Sequence, residues 1–178
     1  MQRYHCKNIL GIEIVAATKS EVHKVSAALR FLKTRNVKAL KTLQMLRAIL
    51  VFPKLDYDNT LLVKEKIYIC QRGTVLGAST QYLASLLVHE VRHLEQYKRD
   101  IKFYGDVAER DAYRIQRQFL KKYSTKEELD WLAKLFKERW WIFKDVKGRK
   151  TLVSPDDKRL RKFAQRYLKN KLKCKPRR

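Results

Sequence analysis

Residues 79–98 read STQYLASLLVHEVRHLEQYK, and this stretch decides the architecture. Leu83, Leu87, Val91 and Leu94 recur at helical spacing, and Ser79 or Thr80 supplies an N-cap, so a helix is predicted to about Lys98. Downstream the pattern stays helical. Gly105 and Asp106 start a further helix with Ala108, Ala112, Ile115 and Phe119 on a 3.6-residue period. Ser124 with Glu127 forms a capping box for the next, which carries Leu129, Leu132, Phe136, Trp140 and Phe143. A last helix is signalled by Ser154 as cap, Pro155 in the first turn and Asp156 and Asp157 at its positive end, with Leu160, Phe163, Tyr167 and Leu168 as its stripe.

Upstream of the stretch the pattern changes. Asn8 to Ala17 (NILGIEIVAA) is rich in Ile and Val and reads as a buried first strand. A helix capped by Ser20 carries Val22, Val25, Leu29 and Leu32, and a second helical stretch with Leu40, Leu43, Leu46 and Leu50 follows Asn36. After Pro53 and the turn-prone DYDN at Asp56–Asn59, Leu61 to Cys70 alternates as a half-exposed strand. Strands early and helices late make an α+β fold, a small N-terminal sheet packed on a mostly helical C-terminal part. No linker divides the chain, so residues 1–153 are read as one core, with the basic helix and tail of 154–178 packed on the same domain.

Composition bounds the partners. The 178 residues hold 42 Lys plus Arg against 18 Asp plus Glu, a net charge of +24, which calls for a polyanion or an acidic partner. Half of the excess falls in residues 144–178, where 15 basic residues face three aspartates. A solvated helix face with a basic tail is one account; phosphate-directed binding to nucleic acid, salt-sensitive and weakly sequence-specific, is the other. Cys6, Cys70 and Cys174 are odd in number and widely spaced, which fits a reducing compartment and an expected cytoplasmic location. No signal peptide is read. The longest uncharged run, Gly73–Val88, is too short and too polar to be a transmembrane segment.

The chemistry is concentrated in His89-Glu90-Val91-Arg92-His93, an HExxH motif. On a helix, residues four apart differ by about 40° in direction, so both imidazoles reach one Zn²⁺ while Glu90 holds a metal-bound water. A structural zinc site would take four protein ligands, commonly cysteines, and none lies near the motif; a catalytic site takes three and keeps one position open. Glu109, in Glu109-Arg110-Asp111-Ala112, is the candidate third ligand if an antiparallel helix pair brings it across. Asp111 is the alternative. The two acids point about 160° apart on a helix. Packing Ala112 against the motif helix turns Glu109 inward, so Glu109 is preferred. His5 and His23 are isolated and read as surface or capping residues.

Over Leu83 to Ala112 the chain resembles the HExxH zinc peptidases, the zincins, and among them the gluzincins, whose third ligand is a glutamate on a following helix. The resemblance implies a zincin-like fold with an active-site helix, with His89, His93 and Glu109 as zinc ligands and Glu90 as general base. The chain lacks the third histidine of the metzincins and the NExxxD motif of the larger gluzincins, since position 113 is Tyr. Gln96 matches an HExxHxxQ variant and equally reads as a polar helix residue. The expected function is zinc-dependent hydrolysis of a protein or peptide substrate, held as an added strand along Leu61–Cys70. The alternative is a basic nucleic-acid-binding protein whose zincin core is structural or inactive. Tyr104 and Tyr113 are the nearest tyrosines, without an assigned role.

Overall fold

The computed structural model describes residues 4–52, 59–138, 142–144, 150–152, 162, 164, 165 and 169. The chain opens with β1 (His5–Ile9) and β2 (Ile12–Ala16), a hairpin rather than one strand. Leu10 and Gly11 both take positive φ, the backbone a two-residue reversal needs, and the Gly11 N–H donates to Asn8 Oδ1. Helix α1 (Lys19–Arg35) is capped by Thr18, not Ser20, in a reciprocal capping box with Glu21. Glu21 is fully buried and also pairs with Arg72, which ties the start of α1 to a later segment of the chain. Helix α2 (Val37–Leu43) starts at Asn36 and stops early. Leu50, expected on that helix, lies in β3 (Ala48–Phe52), and Leu46 lies in the connection.

The expected strand Leu61–Cys70 is also a hairpin, β4 (Asn59–Leu62) and β5 (Ile67–Gln71), turning through Lys66 at positive φ. The turn changes which residues share a face: Leu61 pairs with Tyr68, while Ile67 and Ile69 lie on the opposite side. A short helix α3 (Arg72–Gly77), not anticipated, follows directly. The sheet order is β1-β2-β3-β5-β4, parallel through β2, β3 and β5, with antiparallel strands at both edges. Strands of a parallel sheet are covered on both faces, which is why AILVF of β3 is apolar throughout.

Helix α4 (Thr80–Lys98), capped by Ser79, packs Leu83, Leu87, Val91 and Leu94 with α1 and one sheet face, against Ile14, Ile49 and Tyr68. Helix α5 (Asp106–Tyr123) starts at Gly105, whose positive φ suits glycine. Helix α6 (Lys126–Glu138) follows, with its cap one residue later than expected: Ser124 closes α5, and Thr125 Oγ1 accepts from the Glu128 N–H. Phe143 belongs not to this helix but to β6 (Ile142–Lys144), paired with β7 (Lys150–Leu152); Trp140 lies outside the described residues. The expected cap of the last helix at Ser154 and most of its stripe lie outside them too. Of that segment Ala164 is fully buried, packed with Val15, Leu50, Phe52 and Ile69 on the second sheet face, while Lys162 and Lys169 are exposed. The α+β architecture, a five-stranded sheet early and helices thereafter, is the one the sequence predicts. No helix among the described residues is long and apolar enough to cross a membrane.

Candidate metal centre

The site is built where α4 and α5 run antiparallel. Their contacts climb in opposite directions, with Ser85 and His89 meeting Gln116, and His93 meeting Glu109. Helical spacing puts His89 and His93 one turn apart, their Nε2 atoms 3.1 Å from each other. Glu109 enters from the first turn of α5, Oε2 3.3 Å from His89 Nε2 and Oε1 3.5 Å from His93 Nε2. Gly105 sets that first turn, and Ala108 and Ala112, buried and small, let the two helices approach. One ligand atom from each of His89, His93 and Glu109 lies within 4.8 Å of the others, a grouping able to hold a metal ion.

The second nitrogen of each ring is fixed from behind. His93 Nδ1 lies 3.1 Å from Gln96 Oε1, and Gln96 Nε2 donates to Asp111 Oδ2 at 3.1 Å. A carboxylate only accepts, so it orients the amide, leaves Oε1 for the ring and puts the proton on His93 Nδ1. His89 Nδ1 lies 3.2 Å from Gln116 Oε1. Gln116 Nε2 donates to Ser85 Oγ at 3.1 Å, and that hydroxyl spends its own proton on the Tyr82 carbonyl at 2.7 Å. His89 is therefore also protonated at Nδ1. Both Nε2 lone pairs then point at one spot together with the Glu109 carboxylate, a cluster of acceptors that needs a cation or a proton at its centre.

Charge in the site follows. Burial opposes the His93 imidazolium, but the Glu109 carboxylate and the Glu90 charge push it up to about 9. Burial likewise works against the Glu109 anion, yet hydrogen bonds from both histidines hold its carboxyl far below the usual range. A proton thus occupies the centre when no cation does. Glu90 is buried on the same helix, and burial raises its carboxyl above the ordinary value against the pull of the two histidines. Its charge reaches β5, where, after burial itself, it helps raise the Cys70 thiol.

Asp111, the alternative third ligand, does not join the histidines. It takes Arg92, Arg114 at 2.9 Å and the Gln96 amide, so its place is behind His93. Tyr113 is buried with its ring edge-on to His89, 4.8 Å between centroids; Tyr104 is exposed beside Lys102. Gln116 and Tyr113 as supports of His89 were not read from the sequence. Their signal is present only at tertiary level, one and two turns beyond Glu109 on the inner face of α5. Compared with protein-family models, curated proteins and solved structures, the chain matches none. What the site can do therefore rests on its own geometry.

Proposed function

We propose that the chain is a zinc-dependent metallopeptidase, with His89, His93 and Glu109 holding the metal and Glu90 as general base. The observation that carries this reading is the spacing of the converging acceptors. Two ligand atoms on a tetrahedral zinc, each about 2.0–2.1 Å from it, lie about 3.3–3.4 Å apart. The three separations here are 3.1, 3.3 and 3.5 Å. Both tautomers are also already set for coordination through Nε2. Three protein ligands leave a fourth position, the arrangement of a catalytic rather than a structural zinc.

Bound zinc supplies a water with a pKa near 7 and a Lewis acid for the scissile carbonyl. The rest falls to the chain. Glu90, adjacent to His89 on α4, takes a proton on its carboxylate and returns it to the departing amine; burial raises its proton affinity toward the working range of such a base. His89 and His93 keep their Nδ1 protons on Gln116 and Gln96, so they do not compete for that transfer. Strand β4 is the sheet edge nearest the expected substrate path and offers the unpaired backbone on which a peptide adds as a strand.

Zinc measured on protein prepared without an affinity metal, and again after metal loading, tests the centre. One equivalent that His89→Ala removes is expected, and none after loading would overturn the reading. Glu90→Gln should retain zinc and lose peptide hydrolysis. The second reading, nucleic-acid binding through residues 144–178, is favoured by the net charge of +12 on that segment. Ala164 belongs to the core, so truncation there would uncover the sheet; Lys162→Glu with Lys169→Glu is the cleaner test. Loss of low-salt retention on single- or double-stranded nucleic acid is the expected result, and unchanged retention argues against this segment.

A further inference from the structure

Behind the Tyr113 and Gln116 walls of the metal centre lies a cavity of about 540 Å³, bounded by α3, the first turns of α4, α5 and α6. Its apolar side is formed by Tyr82, Leu86, Trp131 and Leu132. Its polar side includes the carboxylate residues Glu127 and Glu128 and the side chain of Asn59 at the start of β4. Asn59 Oδ1 is buried without a hydrogen-bond partner among the described residues. An orphaned buried acceptor costs about 1–3 kcal/mol, so a donor brought to it is rewarded.

The charge of the lining is unlike that of the molecule. Nearly a quarter of the chain is Lys or Arg, 42 of 178 residues, yet none of the residues lining this cavity is basic and two are glutamates. At physiological ionic strength fields from exposed charges fade over about 8 Å, so the local carboxylates, not the net charge of +24, govern what enters. Aromatic and leucine walls suit an aliphatic stem or a planar cation, and the faces of Trp131 and Tyr82 attract one. We propose that this cavity receives an arginine or lysine side chain of the peptide substrate, its stem along Trp131 and Leu132 and its head toward Glu127, Glu128 and Asn59 Oδ1. The proposal rests on the peptidase reading for the fate of the bound peptide, but the selectivity of the cavity stands apart from turnover.

Binding by the full-length chain, with zinc chelated and with zinc restored, separates the two. Blocked tetrapeptides identical except for one Arg, Lys, Leu or Glu are titrated by calorimetry and by the fluorescence of Trp131. The Arg and Lys peptides should bind at least tenfold more tightly than the Leu peptide, and the Glu peptide most weakly. Glu127→Gln, at an exposed position, should reduce the preference severalfold, and Glu127→Gln with Glu128→Gln should bring it within twofold of unity; thermal melts of both variants establish that they fold. Trp131→Ala should weaken the Arg peptide and remove the fluorescence change. Equal binding of Leu and Arg peptides, a preference that survives in folded Glu127→Gln/Glu128→Gln protein, or no binding of any peptide overturns the proposal. Selective binding without hydrolysis by the zinc-loaded protein would defeat the peptidase reading and leave the cavity assignment standing.

Discussion

His89 and His93 stand one turn apart on α4 and present the same nitrogen to the same carboxylate, yet they are braced differently. His89 is backed by a neutral chain, Gln116 to Ser85 to the Tyr82 carbonyl, with every side chain in it buried. His93 is backed by a charged one, Gln96 to Asp111 to Arg92 and Arg114, which runs from the buried amide to the surface. Either chain fixes a tautomer by ending on a group that can only accept. The neutral chain spends a backbone carbonyl that would otherwise serve the helix alone; the charged chain spends an ion-pair network open to solvent and salt. The comparison separates what a ligand needs, an oriented acceptor, from what it does not, a charge directly behind it.

The widest breach removes a ligand. His89→Ala, His93→Ala or Glu109→Ala should each abolish stoichiometric zinc, read by metal analysis after gel filtration, because two ligands and water do not replace three fixed groups. If Glu109→Ala kept full affinity while Asp111→Ala lost it, the site would be assembled differently from the geometry described above.

Next in size is pH, where His93 carries the effect. Its folded pKa of about 9 stands above the ordinary 6.5, so in zinc-free protein its proton adds stability that is complete below about pH 6.5 and lost as pH rises through 9. Glu109, depressed, adds stability above its ordinary 4.5 that is lost as pH falls through its lowered value. The zinc-free protein should therefore melt highest between about pH 4.5 and 6.5. Zinc must displace the His93 proton, so apparent zinc affinity should climb by up to about tenfold per pH unit from 6.5 and level off near 9. A flat affinity profile over that range would mean that His93 is neutral in the free protein.

Much of this arrangement is legible in the sequence because it is local. The HExxH spacing, the Ser79 cap and the Gly105 start depend on residues within a turn or two of each other, and Ala112 beside Glu109 is enough to choose the carboxylate that faces inward. What escapes local reading is what the sheet decides. Leu43, Leu46 and Leu50 keep a helical spacing across Arg47, but β3 needs Ala48–Phe52 for a parallel strand buried on both sides, where no alternation marks the change. The turns at Leu10–Gly11 and Lys66 break two runs whose apolar pattern alone continues through them. Gln116 is invisible for another reason. It stands 27 residues from His89, and a glutamine on the inner face of an amphipathic helix carries no pattern until its partner is in place.

Gln116→Ala and Gln96→Ala bring the comparison to a direct test. Outer groups behind metal-bound histidines typically contribute about 10–100-fold in affinity. Both substitutions should fall in that range, with Gln116→Ala the more damaging because it also strips Ser85 of a buried partner. Gln116→Glu restores the acceptor and should recover most of the loss. Competition titration with a chromophoric chelator reads all three.

The smallest expected effects separate the links of the charged chain. Asp111→Ala frees the Gln96 amide to turn, so it should approach the Gln96→Ala loss without exceeding it, about tenfold at most. Arg114→Ala should cost less than about twofold, since its side chain is more than half exposed and such pairs contribute little in water. Salt discriminates further: 1 M NaCl should reproduce the Arg114→Ala effect in the wild-type protein and add nothing to the Gln116→Ala variant's loss beyond that. Were Arg114→Ala to match Asp111→Ala, the arginines rather than the amide would be holding His93. The two histidines would then differ in the kind of support they need, not only in the residues that provide it.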